Sequence, residues 1–114
     1  MNSECLFCRI ASGDIPASIV AEGEHWIAFR DIEPQAPVHA LVIPRRHVAS
    51  LDTLSPDERN LAGELALAAA HVARLEGIQD GYRVVTNIGE QAGQSVFHLH
   101  LHVLGGRGMS WPPG

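Results

Sequence analysis

Three histidines spaced two apart, His98, His100 and His102, are the residues of this chain best suited to chemistry, and they alternate with Phe97, Leu99, Leu101 and Val103. A period of two marks a strand, whose successive side chains point to opposite faces. The pattern predicts a strand from Val96 to Leu104, with the four apolar side chains in a core and the three imidazoles sharing the other face. Histidines two apart on a strand lie about 6.6 Å apart along its axis. That spacing lets all three reach one bound phosphate or metal while keeping them from hydrogen-bonding one another. A neutral imidazole is a good nucleophile near neutral pH when one nitrogen is unprotonated and the other is held by an acceptor, for which a backbone carbonyl suffices. His100, flanked on both sides, is the natural nucleophile. His98, His102 and the turn Gly93-Gln94-Ser95 are placed to donate to charge building on phosphoryl oxygens. A solvated, histidine-rich sheet face is the competing reading.

A second constellation is Cys5 and Cys8, a Cys-x-x-Cys. A redox pair expects a βαβ context that is not evident here. Incidental thiols and a structural zinc remain, the zinc requiring two further ligands from elsewhere in the chain.

These residues need a scaffold. Ser55-Pro56-Asp57-Glu58 combines an N-cap serine, proline at the first helical position and a capping-box glutamate. Leu61, Leu65, Ala68, Val72 and Leu75 then form an apolar stripe, Gly77 supplies the stop, and His71 and Glu64 face outward. Further strands are predicted around Ile19 to Ala21, Trp26 to Asp31, Ala40 to Pro44 and Tyr82 to Asn87, with a short helix over Leu6 to Ala11 stopped at Gly13. Short turns favour antiparallel pairing, because only the long helix provides a crossover long enough for parallel neighbours. The expected class is α+β: a five-stranded antiparallel sheet with one long helix on one face, and histidines and ligand on the other.

With 114 residues the chain is read as a single domain, 1–114, small enough that dimerisation would help bury apolar surface. A formal charge of −5 argues against a nucleic-acid partner, and Arg45-Arg46-His47 is only a small basic spot. No apolar run approaches bilayer length and no signal segment precedes the first element, so no membrane partner is expected and the default location is cytoplasmic.

The run His98-Leu99-His100-Leu101-His102-Val103-Leu104 resembles the motif of the histidine-triad (HIT) superfamily. Within it the chain is similar to the Hint branch through 29–37, through Val38-His39-Ala40-Leu41-Val42-Ile43-Pro44, and through Gly93-Gln94-Ser95, Gly105-Gly106-Arg107 and Trp111-Pro112-Pro113-Gly114. The resemblance implies a purine nucleoside 5′-monophosphate pocket and hydrolysis of phosphorus–nitrogen bonds in adenosine or guanosine phosphoramidates through a nucleotidylated His100. It makes His39 the proton relay and Ser95 the donor to the leaving group. His98, His102, Asn87, Gly93 and Gln94 would surround the phosphate, Asp31 would accept from the ribose hydroxyls, and Phe7, Ile10, Ile15, Phe29 and Ile32 would form the slot around the base.

By residue type alone, Phe29 and Ile32 suit a core equally well, Asp31 a cap for the turn before Pro34, His39 a satisfied buried histidine, and Asn87-Ile88-Gly89 a plain turn. The resemblance further implies a homodimer joined edge to edge into one sheet, with Trp111 reaching the partner's site. His47 and His98 match positions used by zinc-bearing members, so with Cys5 and Cys8 they form the expected structural zinc set, no organic cofactor being needed. In that case His98 is mainly structural, and catalysis narrows to His39, His100 and His102. A dinucleoside polyphosphate hydrolase using the same nucleophile and a non-catalytic nucleotide-binding module are the alternatives.

Overall fold

A computed structural model describes residues 4–114. The chain runs α1 (Leu6–Ala11), β1 (Ile19–Glu22), β2 (Trp26–Arg30), β3 (Val38–Pro44), α2 (Arg59–Leu75), β4 (Tyr82–Val85) and β5 (Leu101–Gly105), with 3-10 turns at Leu51–Thr53, Pro56–Glu58 and Glu90–Ala92. The five strands form one sheet in the order β1-β2-β3-β5-β4, every neighbouring pair antiparallel. This is the α+β architecture expected from the sequence. The central pair sets the chemistry: β3 and β5 place His39 opposite Leu104 and Leu41 opposite His102.

The sheet separates two apolar clusters. On one face Ala28, Ala40, Val42, Leu99 and Val103 pack against Leu65, Ala68, Ala69, Val72 and Ala73 of α2. On the other, Ile27, Phe29, Leu41 and Ile43 pack against Phe7 and Ile10 of α1. The small residues at 68, 69 and 73 let α2 lie close to the sheet, and they carry the inward stripe so fully that Leu75 turns outward at 53% exposure. The capping box forms as expected between Ser55 and Glu58, but its turn is 3-10 and the α-helix proper begins at Arg59. Gly77 takes φ +75 in the stop, a conformation that suits glycine.

The histidine run corrects one expectation. The strand begins at Leu101, so His98 and His100 precede it, and Phe97 is 51% exposed instead of joining the core. Continuing the register would set Leu99 against Pro44, which has no N–H to donate. The Pro44 carbonyl is instead the acceptor for His98 Nε2–H at 2.8 Å, and Leu99 N–H donates to Val48 O at 2.6 Å. Leu99 and Val103 keep their places in the helix-side core, so the alternation survives although the ladder does not. Similarly β4 ends at Val85 rather than Asn87, and the Thr86 hydroxyl donates to the His100 carbonyl at 2.8 Å where a ladder bond would have continued.

Candidate functional site

The sheet face away from α2 holds a cavity of about 740 Å³. Phe7, Ile10 and Ile15 line it from the N-terminal segment, Phe29, Asp31 and Ile32 from the end of β2, His39 and Leu41 from β3, and Ser95, His100 and His102 from the triad region. Most residues expected around a nucleoside are thus brought together. Ile32, 94% exposed, stands at the rim and not in a slot.

Hydrogen bonds dictate the state of each imidazole. His100 Nδ1–H donates to the His98 carbonyl at 2.7 Å, which leaves Nε2 with its lone pair. Gln35 N–H donates to His39 Nδ1 at 3.0 Å, so the proton of a neutral His39 sits on Nε2. That Nε2–H donates to His102 Nδ1 at 2.9 Å and lies 3.4 Å from Asp31 Oδ2. His102 Nδ1 is therefore an acceptor, and its Nε2–H is free to donate. The other Asp31 oxygen accepts from Glu33 N–H at 2.9 Å, so the same carboxylate closes a turn and presents an edge to the cavity. The result is a directional relay, Gln35 to His39 to His102, beside a nucleophile-ready His100 whose ring centroid is 5.0 Å from that of His102.

Burial favours the neutral form of His39 and His102. It lowers His102 to about 4, helped by the nearby imidazoles of His100 and His39 and opposed by Asp31. Burial also lowers His39, against the pull of Asp31.

Among the described residues two histidine clusters have ligand-like spacing, and one of them passes a chemical test for a metal. Cys5, Cys8, His47 and His98 bring their ligand atoms within 4.8 Å of one another. Cys8 Sγ lies 3.3 Å from His47 Nδ1 and 3.5 Å from His98 Nδ1, and Cys5 Sγ lies 3.4 Å from His98 Nδ1. A tetrahedral zinc site with usual Zn–S and Zn–N bonds has S···N edges of about 3.5 Å. The proton of His98 is committed to Pro44 O through Nε2, so Nδ1 faces the thiols with a free lone pair. Cys5 also caps α1, accepting from Cys8 N–H at 3.4 Å. The donor set fits zinc. Asp31, His39 and His102 are also within 4.8 Å of one another. There the Gln35 N–H pins the His39 proton on the nitrogen a metal would need, and the set does not fit.

The remaining expected residues are placed differently. His98, fully buried, belongs to the cysteine cluster and does not line the cavity. Gln94 has both side-chain groups engaged, accepting from Gly89 N–H and donating to Ala49 O and Val96 O, and so braces the loop ahead of Ser95. Gly93 takes φ +93 in that loop. Asn87 lines a neighbouring cavity of about 320 Å³, and Trp111 is 85% exposed in the tail. Sequence reasoning missed Gln35, Pro44 and Thr86, which act through a backbone N–H, a carbonyl and a hydroxyl that no residue pattern advertises.

An antiparallel sheet carrying a histidine relay beside a Cys₂His₂ cluster defines the class, and comparison with known proteins gives the family. The HIT domain family matches residues 12–109, and the chain belongs to it. An uncharacterized HIT-like protein of Synechocystis is 48% identical, with both chains covered in full. A HIT family hydrolase of Legionella pneumophila superposes with TM-score 0.93 at 49% identity, over 96% of this chain and 99% of that one. One from Clostridium thermocellum gives TM-score 0.93 at 42% identity, over 96% of each chain.

Proposed function

We propose that this protein is a nucleotide hydrolase of the Hint type, cleaving P–N bonds of purine nucleoside 5′-phosphoramidates through a nucleotidyl-His100 intermediate. The observation carrying this reading is the His100 ring, held through Nδ1–H by the His98 carbonyl so that an unprotonated Nε2 meets the cavity lined by Phe7, Ile10 and Asp31. In this reading the base lies among Phe7, Ile10, Ile15 and Phe29, with Ile32 at the rim, and the ribose hydroxyls donate to Asp31. His102 Nε2–H donates to a phosphoryl oxygen, with Asn87, Gly93 and Gln94 nearby.

His100 Nε2 attacks phosphorus, and the P–N bond breaks with its electron pair staying on the amine nitrogen. That nitrogen takes a proton from Ser95 Oγ–H. Water then attacks the nucleotidyl phosphorus and gives a proton back to Ser95 Oγ, the P–N bond to His100 breaks with its electron pair returning to Nε2, and nucleoside monophosphate leaves. His39 holds His102 in the donating tautomer, which suits stabilisation of charge on the phosphoryl oxygens. Cys5, Cys8, His47 and His98 would hold a structural zinc, which with four protein ligands would have a structural and not a catalytic part, tying α1 to the sheet. The naming of two close structural relatives as HIT family hydrolases supports hydrolysis as the reaction class.

As a further part of this reading, the chain acts as a cytoplasmic homodimer. The open edge of β4, where Val84 is 45% exposed, supplies an unpaired strand that a second copy would cover, and Trp111 would reach the partner's site.

The test follows AMP release from an adenosine 5′-phosphoramidate of a simple amine beside a diadenosine polyphosphate, with wild type and His100→Ala. Phosphoramidate turnover lost in the variant is the expected result. Preference for the polyphosphate would reassign the substrate, and nucleotide binding without turnover would reduce the protein to a binding module.

A further inference from the structure

The nucleophile stands outside the ladder that would otherwise fix it. Pairing of β3 with β5 ends at Val42 opposite Leu101, so His98, Leu99 and His100 are located by other bonds. Leu99 N–H donates to Val48 O at 2.6 Å, the Thr86 hydroxyl to His100 O at 2.8 Å, and His98 Nε2–H to Pro44 O at 2.8 Å. The tautomer of His100 in turn depends on the His98 carbonyl, which accepts its Nδ1–H at 2.7 Å. One residue therefore serves two places. The His98 ring belongs to the cysteine–histidine cluster through Nδ1, and its backbone holds the nucleophile.

The helix α1 makes a second connection between the same two places. Cys5 caps it, and Cys8 lies within it, fully buried against His98. Between the cysteines, buried Phe7 sets its ring edge-on to His100 with centroids 5.1 Å apart, and to His98 at 6.0 Å. With six residues α1 is well below the roughly 12 to 15 at which a helix begins to hold its own shape in water. Its position depends on its anchors, which are the cysteines and the packing of Phe7 and Ile10 on Phe29 and Leu41.

We propose that the cysteine–histidine cluster is a metal-dependent positioning device for the nucleophile, with His98 and Phe7 as the positioning residues. Zinc held by Cys5, Cys8, His47 and His98 fixes the His98 carbonyl and the Phe7 ring about His100, and loss of the metal loosens both. Each route is short, one through a carbonyl and one through a ring, and both run through buried, close-packed groups that transmit a shift instead of absorbing it. Such a tie makes the metal and a ligand on His100 each raise the affinity of the other by the same factor. The nucleotide side of that linkage rests on the proposed function, whereas the effect on the His100 ring does not.

The experiment follows the seven imidazoles by nitrogen NMR as zinc is added to chelated protein. His47 and His98 report the metal, and His100 reports the response. His71, packed on Trp26 beside α2, reports whether the fold persists. The His100 signals should pass in step with those of His98 from a broadened or mixed-tautomer form to the single Nδ1–H form, while His71 stays fixed. His47→Ala removes a ligand from outside the nucleotide cavity, which His47 does not line, and should leave His100 in its metal-free form even with zinc present. His47→Cys restores four ligands in a Cys₃His set and should recover the response. Calorimetry with AMP reads the linkage: the zinc-loaded wild type should bind about tenfold tighter than the chelated protein, within the ordinary range for coupled sites. His47→Ala should abolish that difference.

A His100 signal untouched by zinc, a change shared equally by His71, failure to take up zinc, or equal AMP affinity in the two forms would each overturn the proposal. If AMP binds neither form, the nucleotide reading fails, and the His100 signal alone then decides the coupling.

Discussion

Replacing His102 with asparagine gives a thermodynamic test of the relay that needs no substrate. Asparagine keeps a carbonyl able to accept from His39 Nε2–H but cannot titrate. Burial, followed by the His100 and His39 imidazoles, takes His102 from 6.5 to about 4 in the folded protein. Between those values the unfolded chain binds a proton that the folded chain refuses, so wild-type stability rises with pH. The loss on acidification begins as pH falls through 6.5, and it levels off below about 4. Full linkage gives a loss of about 2.5 kcal/mol by about pH 4.5. His102 is only part-buried, and solvent screening reduces the expected figure to about 1–2 kcal/mol.

The assay is urea unfolding of wild type and His102→Asn at about pH 7.5 and about pH 4.5. Protonation of the cysteine–histidine cluster affects both proteins alike and cancels in the difference between them. Wild type should lose about 1–2 kcal/mol more than the variant over this interval. A difference below about 0.5 kcal/mol, or one of opposite sign, would mean that His102 is not held neutral by its surroundings and would refute the tautomer chain built on it.

Gln35→Pro removes the N–H that sets the His39 tautomer, whereas Gln35→Ala keeps it; nitrogen NMR of the imidazoles should show His39 as a mixture of tautomers only in the proline variant, and identical spectra would contradict the assignment. Gly105→Ala would place a Cβ 2.6 Å from Ile78 Cδ1 and 2.9 Å from Ile78 Cβ, too close for a side-chain tip alone to yield. Overpacking of this kind costs about 1–3 kcal/mol, measured by denaturant unfolding, and Ile78→Ala in the same chain should recover part of it. Purified protein should carry one equivalent of zinc, bound at Cys5, Cys8, His47 and His98. Stripping it should lower stability by about 3–4 kcal/mol if the free metal had been 100 to 1,000 times its Kd, while metal analysis showing no zinc and no effect of chelation would remove the site.

The fold was legible because local signals agreed with one another. The Ser55 to Glu58 box, the α2 stripe and the glycine stop at Gly77 each act within a few residues, where capping and periodicity operate. Element ends were less legible. Whether β5 includes His98 depends on what its neighbour can donate, and Pro44 can donate nothing.

Phe7, Ile10, Asp31, His39, His100 and His102 come from separate stretches of chain, and only the fold gathers them around one cavity.

Residue order alone determined that three histidines would alternate with apolar neighbours, since side-chain alternation is a property of extended backbone. It likewise determined that one amphipathic helix would cover a sheet. Only the tertiary structure decided what each imidazole can do. The protonated nitrogen of His98, His100 and His39 is chosen by Pro44 O, His98 O and Gln35 N–H respectively. Those are backbone groups, alike at almost every residue and therefore silent in a sequence, and they become specific only when folding brings one of them within hydrogen-bond distance of a ring.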